Sequence, residues 1–213
     1  MASINGISLK RLENFPGHDG ITCSRADIYF RNKKIGRWSQ SAWGGPDHFD
    51  LNYGLSEHEL NQEISKMNPD KTQILYREDG SENVLKYNLE QLMGDLLLLH
   101  EDQMTFEKAS KIGYSGILIV SDYYHNAVFG LKDNVLFLTD KEILAKYKHV
   151  IADAKVKNNF FDEDEYVKHR AKVYRHNSDF KIGKTLSIEL DLSKEDIYHS
   201  SRKKDYRNKD MEL

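Results

Sequence analysis

Side chains able to do chemistry crowd into three short stretches. The first is Trp43-Gly44-Gly45-Pro46-Asp47-His48-Phe49-Asp50. Two glycines and a proline bend the chain, two aromatics offer large contact surfaces, and Asp47, His48 and Asp50 supply proton acceptors or oxygen and nitrogen metal ligands. Loops of this kind on a sheet scaffold often carry binding residues. One His and two carboxylates make an incomplete metal set, and no nucleophile declares itself beside them. The stretch therefore reads either as a packed turn anchored by Trp43 and Phe49, or as a loop that meets a partner through Trp43, Phe49 and Asp50.

The second stretch is Asp122-Tyr123-Tyr124-His125-Asn126, directly after the apolar run Ile117-Leu118-Ile119-Val120. If that run is a strand parallel to a neighbour, its carboxyl end is where open α/β sheets place ligands. Asp122 and His125 could then exchange a proton, with Tyr123 or Tyr124 as donors. A polar loop with stacked tyrosines is the plainer alternative. The third stretch, Val167 to His176, sets Lys168, Arg170, Lys172 and Arg175 around Tyr174, with His169 and His176 beside them. Cations for phosphates and a ring for a base are what nucleic-acid binding requires. Asp162-Glu163-Asp164-Glu165 stand upstream and can neutralise them instead.

These residues need a scaffold, and the patterning supplies one. Ile7 to Phe15 and Ile21 to Phe30 read as strands joined by Pro16-Gly17-His18-Asp19-Gly20, and Arg31-Asn32-Lys33-Lys34 turns the chain into Ile35 to Trp38. Period two sets Ala26, Ile28 and Phe30 on a buried face and Arg25, Asp27 and Tyr29 on a wet one. Cys23 falls in the same strand as a small buried residue. Three helix starts carry reciprocal caps: Ser56 with Glu59, Asn88 with Gln91, and Thr139 with Glu142. Leu60, Ile64 and Met67 form a narrow stripe on the first helix. Leu89, Leu92, Met93, Leu96, Leu97 and Met104 form a broad one on the second, which should run to Gly113.

Thr72 to Arg77 and Asn83 to Tyr87 read as a hairpin about Asp79-Gly80. Ile117 to Val120, Ala127 to Leu131 and Val135 to Leu138 read as further strands. Strict alternation over Leu186, Ile188, Leu190 and Leu192 reads as another. The expected fold is α+β: an antiparallel N-terminal sheet with a packed helix, then a mixed α/β layer with a central buried helix. The expected organisation is one domain over 1–199, with sub-layers 1–68 and 71–199, and a flexible basic tail over 200–213.

Composition narrows the function. The chain has 213 residues, 31 Lys and Arg, 34 Asp and Glu and one Cys. No internal disulfide or Cys-rich zinc site is available, and a reducing compartment fits. The opening residues lack a secretory pattern, and the apolar runs fall far short of the ~18 residues a membrane helix needs. A cytoplasmic protein is expected. The near-neutral charge joins an acidic middle, 55–140, to mildly basic ends. The phosphate-loop, dinucleotide, zinc-protease and serine-hydrolase signatures are all missing, which weighs against an enzyme.

The block Ala26 to Leu51, ADIYFRNKKIGRWSQSAWGGPDHFDL, resembles the amino-terminal region of small uncharacterised accessory proteins that accompany phages and mobile elements of AT-rich bacteria. The resemblance implies an accessory role, such as element maintenance or inhibition of a host defence system, and brings no catalytic residues with it. The expectation is a non-enzymatic protein without metal or cofactor that binds another protein or a protein–nucleic acid complex, away from membranes. Its contacts would be Trp43, Phe49, Asp50, Tyr123, Tyr124 and His125. One alternative is an enzyme on nucleic acid or nucleotides using Asp47, His48, Asp122 and His125. The other is a nucleic-acid-binding module using Lys168, Arg170, Lys172, Tyr174 and Arg175.

Overall fold

The computed structural model describes residues 1–77, 79–120, 134–144 and 171–191. Its elements in chain order are β1 (Ser3–Ile4), β2 (Ile7–Pro16), β3 (Thr22–Phe30), β4 (Lys33–Ser39), β5 (His48–Leu51), α1 (Glu57–Met67), β6 (Thr72–Tyr76), β7 (Glu82–Lys86), α2 (Leu89–Lys111), β8 (Gly116–Val120), β9 (Asn134–Leu138), α3 (Asp140–Leu144), β10 (Ala171–Tyr174) and β11 (Lys181–Ile182). The fold is α+β. The chain divides into two compact units, one of Ser3–Leu97 with the segment beginning at Ile182, the other of Met1–Ala2 with Leu98–Lys181.

The first unit is organised by a sheet in the order β11-β1-β2-β3-β4-β5, in which β1 to β5 pair antiparallel with their neighbours. Two tight turns set its register. Asn5-Gly6 joins β1 to β2 and Arg31-Asn32 joins β3 to β4, and all four residues have positive φ, the conformation that matches the twist of a two-residue hairpin. Ile7, Leu9, Ala26, Ile28, Phe30 and Trp38 are buried, as alternation requires. Buried Cys23 sits in β3. Leu60 and Ile64 of α1 and Leu89, Leu92, Met93 and Leu96 of α2 are buried as well.

The helix starts follow their caps. The Ser56 hydroxyl accepts from the Glu59 amide while the Glu59 carboxylate accepts from the Ser56 amide, so two amides left free by helix geometry are satisfied. Asn88 and Gln91 exchange the same pair of bonds at α2, and Asn61 of α1 accepts from the Leu89 amide. The β6–β7 hairpin closes through Gly80 at φ 77°. Its Tyr87 flank is held by a phenol-to-Asp95 bond of 2.6 Å, and burial, reinforced by Asp95, pushes the Tyr87 hydroxyl well above its ordinary pKa.

In the second unit β8 lies between β10 and β9, antiparallel to both. Ile117, Leu118 and Ile119 are consecutively buried, so both faces of β8 are covered. The Thr139–Glu142 box opens α3.

Three expectations need correction. Over the described residues 185–191 the alternating segment forms no ladder. Leu186 is buried, Ile188 and Leu190 are half-buried and the residues between them exposed, and the backbone is held by isolated bonds, from the Leu186 amide to the Asn5 carbonyl, from the Arg31 guanidinium to the Leu186 carbonyl and from the Asp191 amide to the Tyr53 carbonyl. Alternation reported one buried side, which an extended strap has as well as a strand. Met104 is exposed, because the buried stripe of α2 continues through Leu99, Gln103, Phe106 and Ala109 instead. The antiparallel pairing of β8 also removes the parallel-strand premise for a ligand at its carboxyl end. The strand expected over 127–131, the short helix that the carboxylates Asp162 to Glu165 would open, the expected run of the Asp140 helix to about Val150 and the tail over 200–213 lie outside the described residues.

Candidate functional site

The loop between β4 and β5 is pinned at its base. The indole of fully buried Trp38 donates to Asp47 Oδ2 at 2.7 Å. The Asp47 backbone amide hydrogen-bonds the Glu90 carboxylate in the first turn of α2. Burial, with the negative charge of Asp47 adding to it, raises the Glu90 pKa against that bond. On the other side the His18 amide donates to the Ala42 carbonyl at 2.6 Å, tying the β2–β3 turn to the same loop.

From this fixed base Trp43 projects, 79% exposed, its ring 4.6 Å from that of His18 and inclined at 31°. Ile21, in the tied turn, is also exposed. Trp43 therefore does not anchor the loop by burial. Phe49 is half-buried, and His48 and Asp50 are exposed. The Asp47 carboxylate is engaged by Trp38.

The outer face of the same sheet carries a charge pattern that period-two reading passed over. The register aligns Lys10, Asp27, Arg37 and Asp50 in one cross-strand row and Glu13, Arg25, Ser39 and His48 in the next. Opposite charges face one another along the first row, an arrangement worth roughly 0.2–1 kcal/mol per pair. Asp27 belongs to the nominally wet face, yet its side chain is only 8% exposed. Lys34 Nζ lies 2.9 Å from it, and Arg11 and Arg37 lie at 3.4 and 3.5 Å.

Two bulges make this convergence. Between Ile28 and Tyr29 the register shifts so that Lys34, not Ile35, stands opposite Tyr29. Between Lys10 and Glu13 it shifts again, and Arg11 in that bulge has φ 53°, a left-handed conformation that non-glycine residues avoid. Around these groups lies a cleft of about 530 Å³ bordered by Arg11, Arg25, Asp27, Arg37, His48 and Asp50. Bulges break strict alternation, so Arg11 and Lys34 could not be assigned to this face by period two. The repeated Arg and Lys through 10–37 was the available signal.

In the second unit, Tyr174 is buried, donates its hydroxyl to Asp102 at 2.8 Å and stacks on Phe180 at 4.4 Å. Its ring is thus packed inside and not offered to a base, contrary to the stacking role expected from sequence. Lys172 and Arg175 are exposed. Burial alone would raise the Asp179 carboxyl, but the amides of Arg175 and His176 bond to it and hold its pKa below the usual value. Asp122, Tyr123, Tyr124, His125, Lys168 and Arg170 lie outside the described residues. Among the described residues no group of three His, Cys, Asp or Glu side chains is placed to hold a metal, and no helix is long and apolar enough to cross a membrane. Comparison with protein-family models, curated proteins and solved structures finds no match to the chain.

Proposed function

We propose that this is a non-enzymatic accessory protein that binds another protein, with Trp43 as the central contact. The supporting observation is an exposed indole on a loop whose base is fixed by Trp38, Asp47 and Ala42. A large ring presented on an already ordered backbone loses little freedom on binding, and tryptophan is enriched among residues that dominate interfaces. Inhibition of a host defence system by a phage or mobile-element protein is compatible with such a contact, and that finer reading rests on the resemblance of residues 26–51.

The Asp/His enzyme reading has less support, since Asp47 already accepts from Trp38. The test is capture of partners from the native host by tagged wild type and Trp43→Ala, with thermal melting to show that both are folded. A specific protein lost with Trp43→Ala, followed by an affinity drop of about thirty-fold for the purified pair, is the expected result. A folded variant that retains every specific partner at wild-type affinity would remove Trp43 from the interface.

A further inference from the structure

We infer that the cleft on the outer face of the first sheet binds a phosphate-bearing ligand, gripped by Arg11 and Arg37. The donor inventory is the first argument. A guanidinium carries five N–H groups, and Arg11 and Arg37 each make one long contact, at 3.4 and 3.5 Å, to the same Asp27 carboxylate. Lys34 already pairs with Oδ1 of that carboxylate at 2.9 Å. Two planar forks with donors to spare thus share one carboxylate, beside a cleft of about 530 Å³ that Glu13 and Asp50 also border, within the size range of small-molecule sites. Phosphate offers several acceptor oxygens and no compulsory donor, and bidentate pairing with Arg is its favoured mode of recognition.

The backbone is the second argument. Arg11 occupies a left-handed position where glycine or asparagine would be unstrained, and the bulge turns its side chain toward Asp27. Bulges that re-aim a side chain recur next to functional sites, and strain held at one residue is a mark of the same kind. The arginines differ in how far they are committed. Arg25 is closely paired with Glu13, at 2.8 and 2.9 Å through two nitrogens, and so is the least available. Asp27 does not touch the ligand; it holds the two forks side by side and is a positioning residue. This site lies outside the Trp43 contact and does not depend on it.

A free nucleotide and a single-stranded nucleic acid both carry such a phosphate, and the shared chemistry is the phosphoryl group. Binding is measured by fluorescence anisotropy with two probes, a fluorescein-labelled nucleoside triphosphate and a fluorescein-labelled eight-nucleotide oligothymidylate, each with inorganic phosphate as competitor. Saturable binding of either probe is expected, weakened about ten-fold or more by Arg11→Gly and by Arg37→Gln, and unchanged by Lys66→Ala on α1. Arg11→Gly suits the positive φ, so its thermal midpoint should not fall. Binding of the triphosphate alone assigns a free nucleotide, and tighter binding of the oligonucleotide with a steep salt dependence assigns a strand. Failure of both probes to bind, or binding that neither arginine variant weakens, overturns the proposal.

Discussion

Replacing Asp27 by Asn tests whether one carboxylate organises the outer face of the first sheet. The change keeps the shape of the side chain and removes its charge. Lys34 makes the principal contact, at 2.9 Å, with side-chain exposures of 21% for Lys34 and 8% for Asp27. A charge-assisted bond in so enclosed a place is worth about 1.5–3 kcal/mol. Arg11 and Arg37 are 76% and 53% exposed and their contacts are long, so each adds at most a few tenths of that, roughly 0.2–1 kcal/mol before solvent screening. The amide keeps one acceptor for Lys34 but turns an NH₂ toward cations. The expected loss is therefore about 2 kcal/mol, or roughly 4–8 °C in thermal midpoint for a chain of this size.

Urea unfolding followed by the fluorescence of Trp38, which lies opposite Ala26 in the same sheet, reads that loss directly. A double-mutant cycle with Lys34→Met should return a coupling of about 1–2 kcal/mol. A loss below about 0.5 kcal/mol with coupling near zero would show that Asp27 is merely enclosed and does not hold the three cations. The claim that it aligns the arginines would then fail too.

Two further perturbations address the rest of the first unit. Asn5→Ala removes a buried amide that donates to the Lys184 carbonyl at 2.9 Å and accepts from Asn68 at 3.1 Å, at a residue with φ 51°. A loss of about 2–3 kcal/mol is expected in urea unfolding, with faster hydrogen exchange at the Leu186 amide; unchanged exchange there would show that the strap is held elsewhere. Glu90 has a raised pKa in the fold, chiefly through burial, so its ionisation opposes folding and stability should decline as pH rises through its titration. Glu90→Gln should accordingly raise the thermal midpoint more at pH 7 than at pH 4, and an equal effect at both values would contradict that linkage.

Local signals in the sequence were dependable where one residue type meets one geometric need. Ser56, Asn88 and Thr139 begin helices because their short polar side chains, with a longer one three residues on, satisfy amides the helix leaves free. The same logic makes Asn5-Gly6 the strongest hairpin signal in the chain. The outer-face cluster was less legible because it depends on register. Asp27 reads as solvated until two bulges bring Arg11 and Lys34 to it, and a bulge moves a side chain without altering the composition around it. The aromatic loop at Trp43 was legible, but its fixed base was not, because that rests on Trp38 donating to Asp47, a bond between side chains nine positions apart.

Two departures from local preference fall in one place, and this bears on how the face arose. A carboxylate enclosed on a sheet face loses hydration, and an arginine in the left-handed region is strained by roughly 1–2 kcal/mol relative to glycine. Strand propensity alone, without the cations around it, would favour threonine at 27, and backbone conformation would favour glycine at 11. With threonine there, Lys34, Arg11 and Arg37 would repel one another and separate. Asp27 compensates that repulsion while leaving most guanidinium donors uncommitted, and the strained backbone keeps Arg11 from folding away along β2. Neither feature improves the core, which lies on the opposite face at Ile28 and Trp38. Both lower the reorganisation needed when an anion enters the cleft, and that is a reason for a folded chain to keep them.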